Sequence, residues 1–368
     1  MKYGRIDYEK LRGFCIRALE GYGFEREESV QIAEVLLDAD LSGIESHGVQ
    51  RFIRYHREIT EGLVHVKSSG EIVKETPVSA TIEGNNGMGQ LLGIRAMKLA
   101  VEKAGKTGVG MVALRNSNHY GIAGYYTRMA AREGFLGLCM TNTEAILVPT
   151  FGRQPMLGTN PIAFSMPASP VPFTFDAATT VVPRGKLEVY AKRDGKIPEG
   201  WALDENGLPC TDAQRVLGNI IGKIGGGILP LGGMGERTSG YKGYGFAMLC
   251  EICTAILAEG TTSNYIYKTP GASGICQFFM AVDYGIFGER EKMEKALSAY
   301  LQEIRDSEKA EGHRRIYIHG EKEFEARERV LREGVPVNEK TYRELREIAS
   351  YTGTEEFLPK FEAQPGKQ

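Results

Sequence analysis

Apolar positions recur with helical spacing over about residues 8–22, 28–41 and 47–61, and this spacing predicts three helices early in the chain. At about 100° per residue, Val49, Phe52, Ile53, His56, Ile59 and Leu63 gather on one side of the third helix, while His47, Arg51 and Tyr55 fall opposite. A helix buries its apolar stripe, so the second row is expected to face solvent, a cleft or another subunit. From 79 to 282 the pattern changes to short β-prone runs broken by glycine-rich turns and a few helices, with strands expected at 109–114, 136–140, 162–166, 173–175 and 278–282. After Gly288, charged amphipathic helices return over about 289–311, 322–333 and 339–349, with one strand-like run, Arg315-Ile316-Tyr317-Ile318, between the first two. The pattern divides the chain into an N-terminal helical segment (1–75), a mixed α/β body (76–288) and a C-terminal helical arm (289–368) expected to pack back on the first segment. The last ten or so residues are expected to fray.

Composition narrows the partner. The 368 residues are 42% apolar and 25% charged, enough for a full globular core. A balance of 45 basic against 47 acidic residues, net −2, argues against a nucleic-acid or membrane partner held by charge and points to a small molecule. No apolar run approaches the roughly 20 residues of a membrane span, and Met1-Lys2-Tyr3-Gly4-Arg5-Ile6-Asp7 lacks the apolar core of a signal peptide, so a cytoplasmic protein is expected. Of six scattered cysteines only Cys250 and Cys253 are close, inside an apolar helical stretch where two buried thiols are expected and no metal site.

A second histidine stands in Arg115-Asn116-Ser117-Asn118-His119-Tyr120-Gly121, between the strand at 109–114 and a helix over 122–132. Strand-to-helix junctions favour anions through free backbone N–H groups and the helix dipole. Further loops place small hydrogen-bonding residues beside apolar strands: Thr141-Asn142-Thr143, and Leu157-Gly158-Thr159-Asn160-Pro161. The run Phe173-Thr174-Phe175-Asp176-Ala177-Ala178-Thr179-Thr180 ends in an acid and small residues and leads to Arg184-Gly185-Lys186. Leu229-Pro230-Leu231-Gly232-Gly233 continues to Tyr241-Lys242-Gly243-Tyr244-Gly245, at the start of a helix expected to end near Glu259; its glycines admit close backbone approach and Lys242 offers charge to a pyrophosphate. Any one of these loops is equally an ordinary turn. No Gly-x-Gly-x-x-Gly joins a strand to a helix, since Gly84-Asn85-Asn86-Gly87-Met88-Gly89 has the wrong spacing, which argues against a standard Rossmann domain. Gly105-Lys106-Thr107 imitates a phosphate-binding loop, but Ala100 stands where its first glycine is needed.

Together and in this order, the segments resemble the malate/L-lactate dehydrogenase family of non-Rossmann oxidoreductases, over nearly the whole chain to Ile318-His319-Gly320-Glu321. That family also holds ureidoglycolate, sulfolactate and diketogulonate enzymes and cyclic imine reductases. The resemblance implies a mixed α/β fold with a largely antiparallel sheet and a helical domain formed by the N- and C-terminal segments. It implies NAD, or NADP, bound outside any Rossmann motif, and a homodimer with its site near the subunit interface. By position, His47 in Ser46-His47-Gly48 matches a proton donor of some members, Arg51 the residue that grips the substrate carboxylate, and His119 a proton acceptor of others; which imidazole carries the proton stays open. The implied cofactor positions are Thr143, Asp176, Ala177, Ala178, Thr179, Arg184, Gly185, Tyr241, Lys242, Gly320, Glu321 and Lys322, beside the loop residues Gly158, Thr159 and Asn160. Two positions depart from the family: Lys186 replaces the acid of the imine reductases, and His319 stands where proline is common.

The implied reaction is hydride transfer between nicotinamide and C2 of a 2-hydroxy or 2-oxo acid, with malate and oxaloacetate expected first and lactate, sulfolactate, ureidoglycolate, diketogulonate or a cyclic imine acid as alternatives. An imidazole with an ordinary pKa of about 6.5 suits the accompanying proton. Arg51 would hold the carboxylate through two parallel hydrogen bonds, with Ser46 and Tyr55 lining the same pocket. A second cation for a distal carboxylate is not singled out. The rivals from other classes are a phosphate-transferring enzyme, which ATP protection would mark, and a non-catalytic dinucleotide binder, which loss of both histidines would mark.

Overall fold

The computed structural model describes residues 2–191 and 193–361, so the expected frayed end falls, from 362 onward, outside the described residues. The chain opens with β1 (Tyr3–Ile6), α1 (Tyr8–Gly21) and α2 (Arg26–Leu41). Asp7 starts α1 by accepting the Lys10 N–H, and Glu25 and Glu28 form a reciprocal capping box at the start of α2. The expected helix over 47–61 is instead two single 3₁₀ turns, Glu45–His47 and Val49–Arg51, followed by α3 (Phe52–Thr60). The cause is Asp40, whose buried carboxylate accepts the Val49 N–H at 2.7 Å, with Gly48 in extended backbone (φ −83°, ψ −151°) between the turns. His47 and Arg51 therefore share no helical row. Tyr55 does not face open space either; it is 1% exposed.

The body follows as β2 (Glu71–Glu75), β3 (Ser79–Glu83), α4 (Gly89–Thr107), β4 (Val109–Ser117), α5 (Ala123–Arg132), β5 (Leu136–Thr141), β6 (Ile162–Met166), β7 (Phe173–Ala177), α6 (Arg184–Ala191), β8 (Ala202–Leu203), α7 (Ala213–Gly222), β9 (Gly227–Ile228), α8 (Gly240–Glu251) and β10 (Ile275–Val282). Seven strands form one sheet in the order β2-β3-β4-β10-β5-β6-β7, antiparallel at every pair except β3 with β4. Its core is built of small and aromatic side chains: Ala96, Ala100 and Ala104 of α4 and Tyr126 of α5 lie with Val112 of β4, Cys139 of β5 and Phe279 of β10. The helix expected to run to Glu259 stops at Glu251 and continues as a π turn, Ile252–Ile256.

The C-terminal part is α9 (Arg290–Asp306), α10 (Glu321–Glu333), β11 (Val335–Asn338) and α11 (Glu339–Thr352). Residues 315–318 form no strand: the Ile318 N–H donates to Glu321, Arg315 pairs with Glu321, and the segment turns directly into α10. β11 pairs antiparallel with β1, Ile6 opposite Val335, and the N- and C-terminal segments close one helical core containing Phe14, Leu36, Phe52, Tyr55, Val337 and Ile348. Buried Asp38 of α2 joins that unit to the body by accepting hydrogen bonds from Arg128 of α5 and, at 3.0 Å, from Arg327 of α10. No helix among the described residues is long and apolar enough to cross a membrane.

Candidate active site

The two histidines arrive from different elements and meet. His47 ends the first 3₁₀ turn, His119 lies in the loop between β4 and α5, and their rings stack with centroids 5.7 Å apart and planes 26° from parallel. The start of α4 presses on this loop, since a Cβ on Gly89 would stand 2.4 Å from the Asn118 carbonyl oxygen and 2.5 Å from that of His119. The Asn118 amide donates to the carbonyls of Asn86 (2.9 Å) and Gly87 (3.0 Å), which fixes the loop from its other side. Ser46 Oγ lies 2.9 Å from His47 Nδ1. Tyr55 Oη lies 2.8 Å from His119 Nδ1, and the Gly121 N–H points at that nitrogen from 3.4 Å. A backbone N–H can only donate, so Nδ1 offers a lone pair, Tyr55 donates its O–H to it, and the neutral ring carries its proton on Nε2.

Cations crowd this pair. Arg51 donates from Nε to the Ser46 carbonyl at 2.5 Å, and no other hydrogen bond of its guanidinium exists among the described residues. Arg54, three residues on, donates to Glu58 at 2.8 Å and to the Tyr267 hydroxyl, which itself donates to Glu58 at 3.1 Å. Burial lowers His47 to about 4, with Arg51 and Arg54 adding to the fall. Burial also holds His119 well below the ordinary value, helped by Arg54, His47 and Arg51. Arg51 is lowered by burial and then by Arg54. Arg51 and Arg54 thus depress both imidazoles, and Arg54 depresses Arg51, leaving a positive potential that a bound anion would relieve.

One stretch of chain, β7 and the residues after it to Arg184, runs past most of the other candidates. At its start the Thr174 N–H donates to the His319 carbonyl at 3.2 Å and Gly320 rests on Pro172 and Thr174. Glu321 is tied to Arg305 at 2.6 Å and Arg315 at 3.2 Å, and the Lys322 ammonium sits 4.8 Å over the Tyr317 ring. The Asp176 carboxylate accepts the Gly124 N–H at the start of α5, 2.7 Å away. Desolvation by the surrounding protein raises that carboxyl to about 6 against the pull of the amide and Arg128. Ala177 and Ala178 are half-buried beside it.

Thr179 then bonds the Thr159 carbonyl through N–H (2.9 Å) and hydroxyl (3.0 Å), Thr159 donates its N–H to Thr143 Oγ1 (2.9 Å), and Gly158 packs on Thr143. Fully buried Asn160 accepts the Thr143 N–H at 3.2 Å and donates to Glu251 at 2.9 Å and to the Ala247 carbonyl at 3.1 Å, so its amide supports the loop from behind. Arg184 pairs with Glu188 at 3.2 Å and lies close enough to Arg51 to act on its charge, with open space at Gly185. Tyr241 and Lys242 stand exposed at the start of α8.

The structure thus brings Ser46, His47, Arg51, Tyr55, His119 and Arg184 into one cluster. Thr143, Gly158, Thr159, Asn160 and Thr179 gather in a separate network around Glu251, the segment 320–322 meets the start of the stretch through Gly320, and Tyr241 and Lys242 lie exposed at the start of α8. Sequence reasoning passed over Arg54, Glu58, Tyr267 and Glu251. The i,i+4 pair of Arg54 and Glu58 beside Arg51 was a signal for the first two; Tyr267, 213 residues from Arg54, had none.

The profile of the malate/L-lactate dehydrogenase family matches residues 6–346. The chain belongs to that family. The malate dehydrogenase of Pyrococcus horikoshii is 44% identical over 354 residues, 96% of this chain and 97% of that one. The L-sulfolactate dehydrogenase of Methanocaldococcus jannaschii is 37% identical over 353 residues, 94% and 96% of the two chains. The solved malate dehydrogenase of Entamoeba histolytica superposes with a TM-score of 0.92 at 33% identity, covering 96% of this chain and 99% of that one. This is a family of hydroxy acid dehydrogenases, and the mixed α/β fold with its mostly antiparallel sheet is the family's fold.

Proposed function

We propose that this protein is an NAD(P)-dependent dehydrogenase that interconverts malate and oxaloacetate, with His47, His119 and Arg51 at its catalytic centre. The observation that carries this reading is the stacked histidine pair set beside Arg51, whose guanidinium keeps its terminal nitrogens free of protein partners among the described residues. A planar guanidinium with a free edge suits the carboxylate of a 2-oxo acid through two parallel hydrogen bonds, which also fixes the face that C2 presents. Arg54 and Arg184 give the same cluster positive charge for a second anionic group, as a four-carbon dicarboxylate needs. Ser46 orients His47, and Tyr55 orients His119.

In the reducing direction the substrate anion offsets Arg51 and Arg54, so the depressed imidazoles rise toward neutral pH and one takes up a proton. His119 is the better donor, because Tyr55 and Gly121 fix its Nδ1 and leave Nε2 to face the substrate oxygen. A nicotinamide held here would supply the hydride chemistry at C2, in either direction. The donor set fits such a cofactor: Lys242 stands exposed at the start of α8, Ser239 makes no side-chain cap there, and the buried Thr180 hydroxyl lacks a partner among the described residues. We assign cofactor contacts to Thr143, Gly158, Thr159, Asp176, Ala177, Ala178, Thr179, Arg184, Gly185, Tyr241, Lys242, Gly320, Glu321 and Lys322, with Asn160 in support. We also assign the active form to a homodimer. Lys186, exposed on α6, weighs against a cyclic imine substrate.

The test is oxidation of NADH and NADPH at 340 nm against oxaloacetate, pyruvate, sulfopyruvate, oxalurate, diketogulonate and a cyclic imine acid. Oxaloacetate should give the highest kcat/KM, with the preferred coenzyme evident in the same assay. A higher value for another acid would replace the substrate, and silence throughout would overturn the reading.

A further inference from the structure

Arg54 is held by a residue from the other structural unit. It belongs to α3, in the helical unit, whereas Tyr267 lies in the body, in the loop between the π turn and β10. That loop is anchored beside the His119 loop: the Tyr267 N–H donates to the Ser273 carbonyl at 3.0 Å, and buried Ser273 donates its hydroxyl at 2.6 Å to the carbonyl of Ser117, two residues before His119. The Asn86 amide donates to the Gly271 carbonyl of the same loop at 3.4 Å. Tyr267 itself has φ +60°, a left-handed conformation that a bulky side chain rarely adopts, so its position is imposed by these contacts.

Arg54, Glu58 and Tyr267 close a ring of hydrogen bonds. Arg54 donates from Nε to Glu58 Oε1 at 2.8 Å and from Nη2 to the Tyr267 hydroxyl, and that hydroxyl donates to the same Glu58 oxygen at 3.1 Å. Nε and Nη2 form one edge of the guanidinium, an edge that a carboxylate can grip with both oxygens. Here Tyr267 occupies half of it. Glu58 is limited to one oxygen of contact, and its Oε2 is buried without a partner among the described residues. A buried carboxylate oxygen left unbonded beside a guanidinium calls for an explanation. The end of the Arg54 fork stays open, since Nη1 makes no hydrogen bond among the described residues. Arg51 is arranged alike, tied at Nε to the Ser46 carbonyl with its terminal nitrogens free. The two cations stand three residues apart, neighbours on one side of the chain, and the charge of Arg54 lowers both Arg51 and His119.

We propose that Tyr267 is a specificity-determining positioning residue: by keeping Glu58 to one oxygen, its hydroxyl leaves the Nη1 end of Arg54 presented to the second anionic group of a dianionic 2-oxo acid. That group is a carboxylate or sulfonate carried on C3, held end-on by Nη1 and the outer hydrogen of Nη2. A monoanionic 2-oxo acid has nothing to place there. Without the hydroxyl, Glu58 is free to turn its second oxygen onto Nη2 and draw the guanidinium away from the substrate.

The inference rests on the reading of Arg54 as the cation for that second group. The test measures KM for oxaloacetate and the inhibition constant of oxamate, a monoanionic competitor whose binding is read without its turnover. The proteins compared are wild type, Tyr267→Phe, and Arg54→Met combined with Glu58→Gln, which removes both charges of the pair together. In Tyr267→Phe, KM for oxaloacetate should rise by about 3- to 10-fold, while kcat and the oxamate constant stay within about 2-fold. KM for sulfopyruvate should move with that for oxaloacetate. A loosened fold would weaken both classes of anion alike, so the split does not come from lost packing. The double variant should lose more of the discrimination, and adding Tyr267→Phe to it should change KM by less than about 2-fold. Equal shifts for oxaloacetate and oxamate in Tyr267→Phe, or no shift in either, would overturn the role of Tyr267. If the double variant loses the discrimination while Tyr267→Phe behaves as wild type, only this inference fails. If the double variant keeps it, Arg54 does not hold the second anion and the reading beneath the inference is wrong.

Discussion

Gly48 has no room for a methyl group. A Cβ there would lie 2.1 to 2.5 Å from the three carboxylate atoms of Asp40, the acid that accepts the Val49 N–H and sets the break between the two 3₁₀ turns. Asp40 is buried and tied to the Val49 N–H, so it has little freedom to move aside. Gly48→Ala should therefore destabilise the protein by about 1–3 kcal/mol in urea unfolding and reduce turnover further than that loss explains, because His47 is displaced. Wild-type stability with wild-type turnover would show that the turn is not fixed by this contact. The residue types His47, Arg51 and His119 were legible in the sequence, since an imidazole or guanidinium among small polar neighbours is unusual enough to notice. Their geometry was not. The carboxylate that breaks the helix comes from α2, and the stacking of two rings 72 positions apart is a tertiary fact that no local period records.

At the scale of elements, the body strands were legible because apolar runs bounded by turns leave a local signature: β6 has the expected limits, and β4, β5 and β10 extend theirs. The β1 and β11 pair was missed, as four-residue strands whose partners lie more than 300 positions away carry no such signature. The helix after Gly240 shows a different limit. Its π turn shifts the phase so that Cys250, Thr254 and Ala258 point inward, the first and last packing with Ala113 and Phe278, while Phe246, Leu249, Ile252 and Ile256 stay exposed. We propose that a second copy of the chain covers this exposed apolar row. Light scattering should give a dimer, and Leu249→Glu with Ile256→Glu should yield a folded monomer. A monomeric wild type would contradict the assignment.

For the whole molecule, the seven-stranded sheet carries β7 at its edge, and the chain from there to Arg184 links the segment at 320–322, the Asp176 carboxylate and the neighbourhood of Arg51. The helical unit closed by both termini supplies His47, Arg51 and Tyr55, and the body supplies His119, so the candidate site exists only when the two are docked. The family was legible from the ordered set of motifs, whereas Arg54, the second cation we propose, was not, because it reads locally as half of a surface ion pair. Arg51→Leu tests the site most directly, with turnover of the best 2-oxo acid and NADH binding followed on one preparation. If Arg51 holds the substrate carboxylate, KM rises by about 10- to 150-fold, as expected for a charged hydrogen-bonding contact of about 1.5–3 kcal/mol, while the Kd for NADH stays within about 3-fold. An unchanged KM, or NADH binding weakened as far as KM is raised, would contradict the assignment.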